Sequence, residues 1–157
     1  MAATDFELLL NRVKTTIADN LNTKLGVIDT DKNDGITLAQ VDSAAYDFQE
    51  LQGAAMSYNP FVAVQIEDVE TEGYGAATVN TITIGVTLFL SDPGDDTGWK
   101  RMLRYGRALQ EVIEGNFSEI ETGARLKVTS RVPDKIRLLN NAAETRVVGI
   151  AIQATIA

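Results

Sequence analysis

The longest stretch without a charge is GYGAATVNTITIGVTLFLS, residues 73–91, and it constrains the fold more than any other segment. By length alone it would cross a bilayer as a helix. Its pattern points elsewhere. Over 79–90, Ile82, Ile84, Val86, Leu88 and Leu90 fall on one side and Thr81, Thr83, Gly85, Thr87 and Phe89 on the other. Period two, rich in threonine and β-branched residues, specifies a long half-buried strand. Such a strand needs hydrogen-bonded neighbours, and the rest of the chain must supply them.

Three further segments alternate in the same way. In 61–69, Val62, Val64 and Ile66 alternate with Ala63, Gln65 and Glu67, directly after Pro60, which cannot donate to a ladder and suits the first position of a strand. In 124–132, Leu126, Val128, Ser130 and Val132 point inward, and Arg125, Lys127, Thr129 and Arg131 outward. In 145–156, Val148, Ile150, Ile152 and Ile156 share one face. The intervening EDVETEGYGAAT, 67–78, reads as a long hairpin loop, and 133–144 as a loop or short helical turn.

Helical spacing marks three other segments. Over 4–22, Phe6, Leu9, Leu10, Val13, Ile17 and Leu21 form one apolar face, with Thr4 as cap and Glu7 completing a capping box. Residues 26–36 read as loop. Over 37–52, Leu38, Val41, Ala45, Phe48 and Leu51 line one side of a second helix. The clearest helix is 99–114, with a buried stripe of Trp99, Met102, Leu103, Gly106, Leu109, Val112 and Ile113; Asp95 and Asp96 precede it, where the helix dipole favours negative charge. The expected architecture is a single α+β domain over 1–157, element order ααββαββ, with a mostly antiparallel four-stranded sheet and helices on one face.

Composition narrows the chemistry. The chain has no cysteine and no histidine, which excludes disulfides, thiol nucleophiles, imidazole catalysis and the usual zinc ligand sets. A net charge of -8 argues against general nucleic-acid binding. No serine sits in a nucleophile elbow, and no Lys, Glu or Asp set has catalytic spacing. No catalytic residue, cofactor or resident metal is expected. The acidic start ATDFE does not read as a signal peptide, so a cytosolic protein, or a particle component assembled in the cytosol, is expected.

One motif imitates calcium binding. DTDKNDGIT, 29–37, places Asp29, Asp31 and Asn33 at loop positions 1, 3 and 5 of an EF-hand, and Ile36 at position 8. Position 6 should be glycine and is Asp34, with Gly35 one residue late; position 12 should be a bidentate glutamate and is Gln40. The entering helix would also have to run through Gly26, Val27 and Ile28. A solvated turn built from Asp, Asn and Gly explains the segment better.

The charged residues are segregated. Glu67, Asp68, Glu70 and Glu72 cluster before the long strand. Lys100, Arg104 and Arg107 share one face of the 99–114 helix with Arg101 nearby, and Arg125, Lys127 and Arg131 share one strand face. A net-acidic chain with local basic faces suits a self-complementary assembly unit, in which like units join acidic to basic surface. Scattered solvated charge is the plain alternative.

This order of elements resembles the small tail-terminator (tail-completion) proteins of tailed bacteriophages. The resemblance spans nearly the whole chain: the helix DFELLLNRVKTTIADNL, the segment NPFVAVQIEDVETEGYG leading into TITIGVTLFLS, the helix WKRMLRYGRALQEVIEG, and a closing strand pair. The stretch 37–52 departs from it as an extra helix and leaves room for another head–tail connector, adaptor or tube-associated subunit. The resemblance implies a homohexameric ring at the tail–neck junction of a virion. Such a ring caps the tail tube, ends its polymerisation, docks the head connector and lets DNA pass through its lumen without specific binding, outside any membrane. It also implies that Glu67, Asp68, Glu70 and Glu72 of one subunit meet Arg101, Arg104 or Arg107 of the next, with Lys100, Arg125 and Arg131 as further interface residues. On this reading Arg104→Glu weakens assembly without unfolding the monomer.

Overall fold

A computed structural model describes residues 5–48, 58–75, 77–91, 97–120, 125–139 and 143–156. Its framework is the long strand foreseen from residues 79–90. It runs over Ala77–Ser91 (β3) and pairs antiparallel on one side with Phe61–Tyr74 (β2) and on the other with Ala143–Ile156 (β5). Arg125–Leu139 (β4) pairs antiparallel with β5, and the short Tyr46–Asp47 (β1) pairs parallel with β2 at Val62 and Ala63. The result is a mixed five-stranded sheet of order β1-β2-β3-β5-β4, where a mostly antiparallel four-stranded sheet was expected.

Helices Phe6–Lys32 (α1) and Gly98–Gly115 (α2) pack against each other, and the single turn Phe117–Ile120 (α3) leads toward β4. The fold is α+β. Its order is α, β, β, β, α, a short α, β, β, and this replaces ααββαββ.

The sheet alternation decides where the helices sit. Ile82, Ile84, Val86 and Leu88 are fully buried, as are Val62 and Val64 of β2 and Val148, Ile152 and Ala154 of β5. The register places these residues on one face. Against it pack Leu9, Val13, Ile17, Leu21, Leu25 and Ile28 of α1, and Met102, Tyr105, Leu109, Val112 and Ile113 of α2, in one apolar cluster. On the other face Thr81, Thr83, Thr87, Gln153 and Thr155 are only half-buried. Its end near Ser91 is closed by Phe61, Ala63, Phe89 and Val147, with the Phe61 and Phe89 rings 6.4 Å apart.

Several expected boundaries move, each for a physical reason. The region 26–36 is not a loop at its start, because α1 continues through Gly26 to Lys32. Leu21, Leu25 and Ile28 extend the apolar stripe, and burying them outweighs the roughly 1 kcal/mol that a helical glycine costs. Asp5, rather than the Thr4 capping box, closes the first turn, its carboxylate accepting from the Leu8 N–H at 2.9 Å; Thr4 lies outside the described residues.

The second helix, 37–52, does not form in its described part. Leu38, Val41 and Ala45 are buried as expected, but on an irregular strap whose amides bond to side chains. The Leu38 N–H donates to the Asp29 carboxylate at 3.1 and 3.2 Å, and the Asn22 amide both donates to the Val41 carbonyl at 2.9 Å and accepts from its N–H at 2.8 Å. Leu51 lies outside the described residues.

Finally, 67–78 is not a long loop. β2 and β3 pair as far as Tyr74 and Ala77, with a bulge at Glu67. A Cβ on Gly85 would overlap the Glu67 side chain, so glycine leaves room for the bulged residue. The segment 133–144 is likewise mostly strand, shared by β4 and β5.

The strap depends on one amide that replaces a ladder partner. Asn22→Ala removes two hydrogen bonds and leaves the Val41 backbone polar groups under-satisfied, so it is expected to lower stability by about 2 kcal/mol. Urea melts should show an unchanged slope and a lower midpoint. An unchanged midpoint would mean that the strap is held by its apolar residues and by the Asp29 and Tyr105 hydrogen bonds, without need of Asn22.

Candidate functional site

The charged residues divide into two sets, one spent on the fold and one left on its surface. The first set joins α1, the strap and α2. Arg104 is buried at 8% exposure and makes a bidentate pair with Asp34, with Nη1 donating to Oδ1 at 3.0 Å and Nη2 to Oδ2. Tyr105, the next residue, donates its hydroxyl to the Ala39 carbonyl at 2.8 Å. Arg107 donates from Nε to Glu111 at 2.8 Å and stands 3.7 Å from Asp31, while Lys24 lies 3.6 Å from Glu111. The guanidinium hydrogen bonds hold the Asp34 carboxyl at about 2 and the Glu111 carboxyl below its usual range; the same contacts raise Arg104 and Arg107.

The calcium-like motif lies among these contacts. Asp29 and Asp31 lie in the last turn of α1, and the helix does run through Gly26, Val27 and Ile28. Asn33, with φ 43°, then closes the helix by donating its N–H to the Asp29 carbonyl at 3.0 Å. The carboxylates of Asp29, Asp31 and Asp34 engage the protein's own amide and guanidinium groups. Among the described residues no group of three or more acidic side chains is arranged to hold a metal ion.

The helix stripe is also rotated from the expected one. Trp99 and Leu103 stand outside, at 49% and 37% exposure, while Arg104, Tyr105 and Ala108 turn inward. With Lys32, Lys100, Arg104 and Arg107 the two apolar side chains line an open groove of about 400 Å³, and the Lys100 ammonium lies 5.6 Å from the Trp99 ring centroid. Lys100, Arg104 and Arg107 therefore do share a neighbourhood, with the last two engaged by α1 and the strap. Arg101 is half-buried on the same helix.

The second set lies on the open face of the sheet. Asp68, Glu70 and Glu72 are exposed on β2, and Arg125 and Lys127 on β4. The register aligns them in rows. One runs Glu70, Thr81, Thr155, Arg125 across β2, β3, β5 and β4; the next runs Asp68, Thr83, Gln153, Lys127. Each row has an acid at one end and a base at the other, about 14 Å apart at the usual strand spacing.

Glu67 occupies the bulge over Gly85. Arg131 is not in phase with Arg125 and Lys127, because the irregularity between Val128 and Ser130 shifts it to the register of Ile150. Sequence alternation could not reveal that bulge, nor the pairing that aligns the rows. Tyr46 is a feature the sequence does not mark: its buried hydroxyl has no hydrogen-bond partner among the described residues, and burial pushes the phenol up to about 12.

No protein-family model matches the chain, and no curated protein matches its sequence. Among the described residues, no helix is long and apolar enough to cross a membrane.

Arg104→Glu places a buried acid beside Asp34, so the expected loss is of folding stability in dilute protein before any effect on assembly. A thermal melt of the monomer, unchanged from wild type, would contradict this. Asp34 titrates lower folded than unfolded, so its stabilising contribution is complete above the ordinary carboxylate value of 3.8 and is lost as pH falls through about 2. Asp34→Asn should remove that part of the acid dependence; an identical acid limb in both proteins would show that the pair does not couple to folding.

Proposed function

We propose that this chain is a structural assembly subunit that joins copies of itself head to tail, and that it works at the tail–neck junction of a phage virion. The observation that carries self-assembly is the polarised open face: acids on β2, bases on β4, aligned in the same rows. A surface with both signs at opposite ends attracts an identical copy in one orientation and repels it in the others. The virion assignment rests on the resemblance in element order. Its support is a long amphipathic helix, a strand pair, a second helix and a closing strand pair in the expected sequence.

On this reading the subunits close into a ring, with six copies as the resemblance implies. The ring ends the tail tube, meets the tail-tube protein on one side and the head connector on the other, and surrounds passing DNA. An acidic balance of -8 would suit a lumen through which DNA slides without sticking. No residue is assigned catalysis or a cofactor.

Native mass spectrometry over a concentration series, with and without calcium, tests the proposal. A closed oligomer near six copies is expected, of the same mass under both conditions. Long tubes or a different closed number would favour a tube-associated subunit or another connector. A monomer at every concentration would overturn self-assembly, and one calcium ion per chain would revive the calcium-binding module.

A further inference from the structure

We infer that the joint between copies is strand to strand: the exposed edge of β2 in one copy pairs antiparallel with the edge of β4 in the next, continuing the sheet. This rests on the self-assembly proposed above and specifies how it is built.

Three observations converge on it. First, both edges are unpaired among the described residues. β1 covers β2 only at Val62 and Ala63, and β4 pairs only with β5. A row of unpaired backbone N–H and C=O groups is a template for another strand.

Second, charge selects among the possible edge pairings. Two β2 edges would oppose Asp68 and Glu70 to like charges, and two β4 edges would oppose Arg125 and Lys127. Like charges directly opposite are destabilising, so both two-fold arrangements are disfavoured. Only β2 against β4 is attractive, and that contact is head to tail.

Third, the register that continues the rows is complementary over Asp68–Glu70 and Arg125–Lys127. It sets Asp68 beside Lys127 and Glu70 beside Arg125 on the open face. Between them it sets Val69 beside Leu126 on the helix-covered face. Val69 is 41% exposed and Leu126 half-buried in the single chain, and each would supply apolar cover to the other. The strand directions also agree: β2 runs antiparallel to β3 and β3 antiparallel to β5, while β4 runs antiparallel to β5. A copy added in the same orientation therefore brings an antiparallel β2 to β4. The irregularities of β4 beyond Val128, together with Pro133, confine the joint to the first part of that strand.

The absence of cysteine offers a direct test. In the double variant Val69→Cys, Leu126→Cys the two thiols of one copy are about three strand spacings apart, beyond disulfide reach. Across the inferred joint they are neighbours. Oxidation is expected to give a covalent ladder on a denaturing gel, ending at the ring size found by native mass spectrometry. Neither single variant should pass beyond a dimer.

Charge reversal on exposed residues is the second arm. Glu70→Arg and Arg125→Glu should each weaken association roughly tenfold. The doubly reversed chain, or an equal mixture of the two single variants, should recover it. Unchanged circular dichroism would show that the variants fold. A wild-type oligomer that gives no ladder and ignores the reversals would overturn the strand joint and leave self-assembly standing. A wild-type monomer at every concentration would overturn both.

Discussion

The apolar contact between the α1–α2 pair and one face of the sheet is the constraint on which the rest depends. Ile82, Ile84, Val86 and Leu88 present a continuous aliphatic surface that must be covered, and the stripes of α1 and α2 cover it. That commits one face of β3, and of the parts of β2 and β5 paired beside its Ile82–Leu88 stretch, to the interior. It leaves the Thr-rich face, the two sheet edges and the outer side of the helices as the surfaces on which function can be built. The division is unequal in chemistry as well as in position. The covered face is made by packing, whereas the open face carries opposite charges at its two ends.

The same contact explains why some charges are unsuited to an interface. Antiparallel packing of α1 on α2 brings Arg104 under the strap, where Asp34 meets it, and brings Arg107 beside Asp31 and Glu111. A guanidinium buried to that degree needs its carboxylate, because a charge stripped of water and left unpaired is costly. The acids that imitate a calcium loop are, on this view, fold determinants. Asp29 caps a strap amide, Asp34 neutralises Arg104, and Asp31 faces Arg107.

Much of the sheet was legible in residue alternation. The phases of Ile82–Leu88 and of Val62–Ile66 are borne out, as is the helix of 99–114 in its extent. What failed were boundaries and partners. Gly26 and the Asp-rich tail of α1 look like a loop, yet Leu25 and Ile28 hold the helix together through tertiary burial. Leu38, Val41 and Ala45 have helical spacing, yet Asp29 and Asn22 take up the strap's amides. EDVETEGYG looks too polar for a strand, but an exposed edge strand needs no apolar alternation, only a partner on one side, which β3 supplies. The acids and bases of the candidate surface were visible as clusters. Their alignment into rows was not, because it depends on which strands are neighbours and in what register.

Hydrogen exchange resolved along β2 tests the account most directly. The comparison is between dilute protein and protein above its assembly concentration. The amides within Glu67–Glu70 that point to the free edge should exchange quickly in the dilute sample and at least about tenfold more slowly in the assembled one, while the β3 amides, already paired on both sides, change little. An assembly that forms with no added protection on this edge would contradict the account and move the joint elsewhere on the molecule.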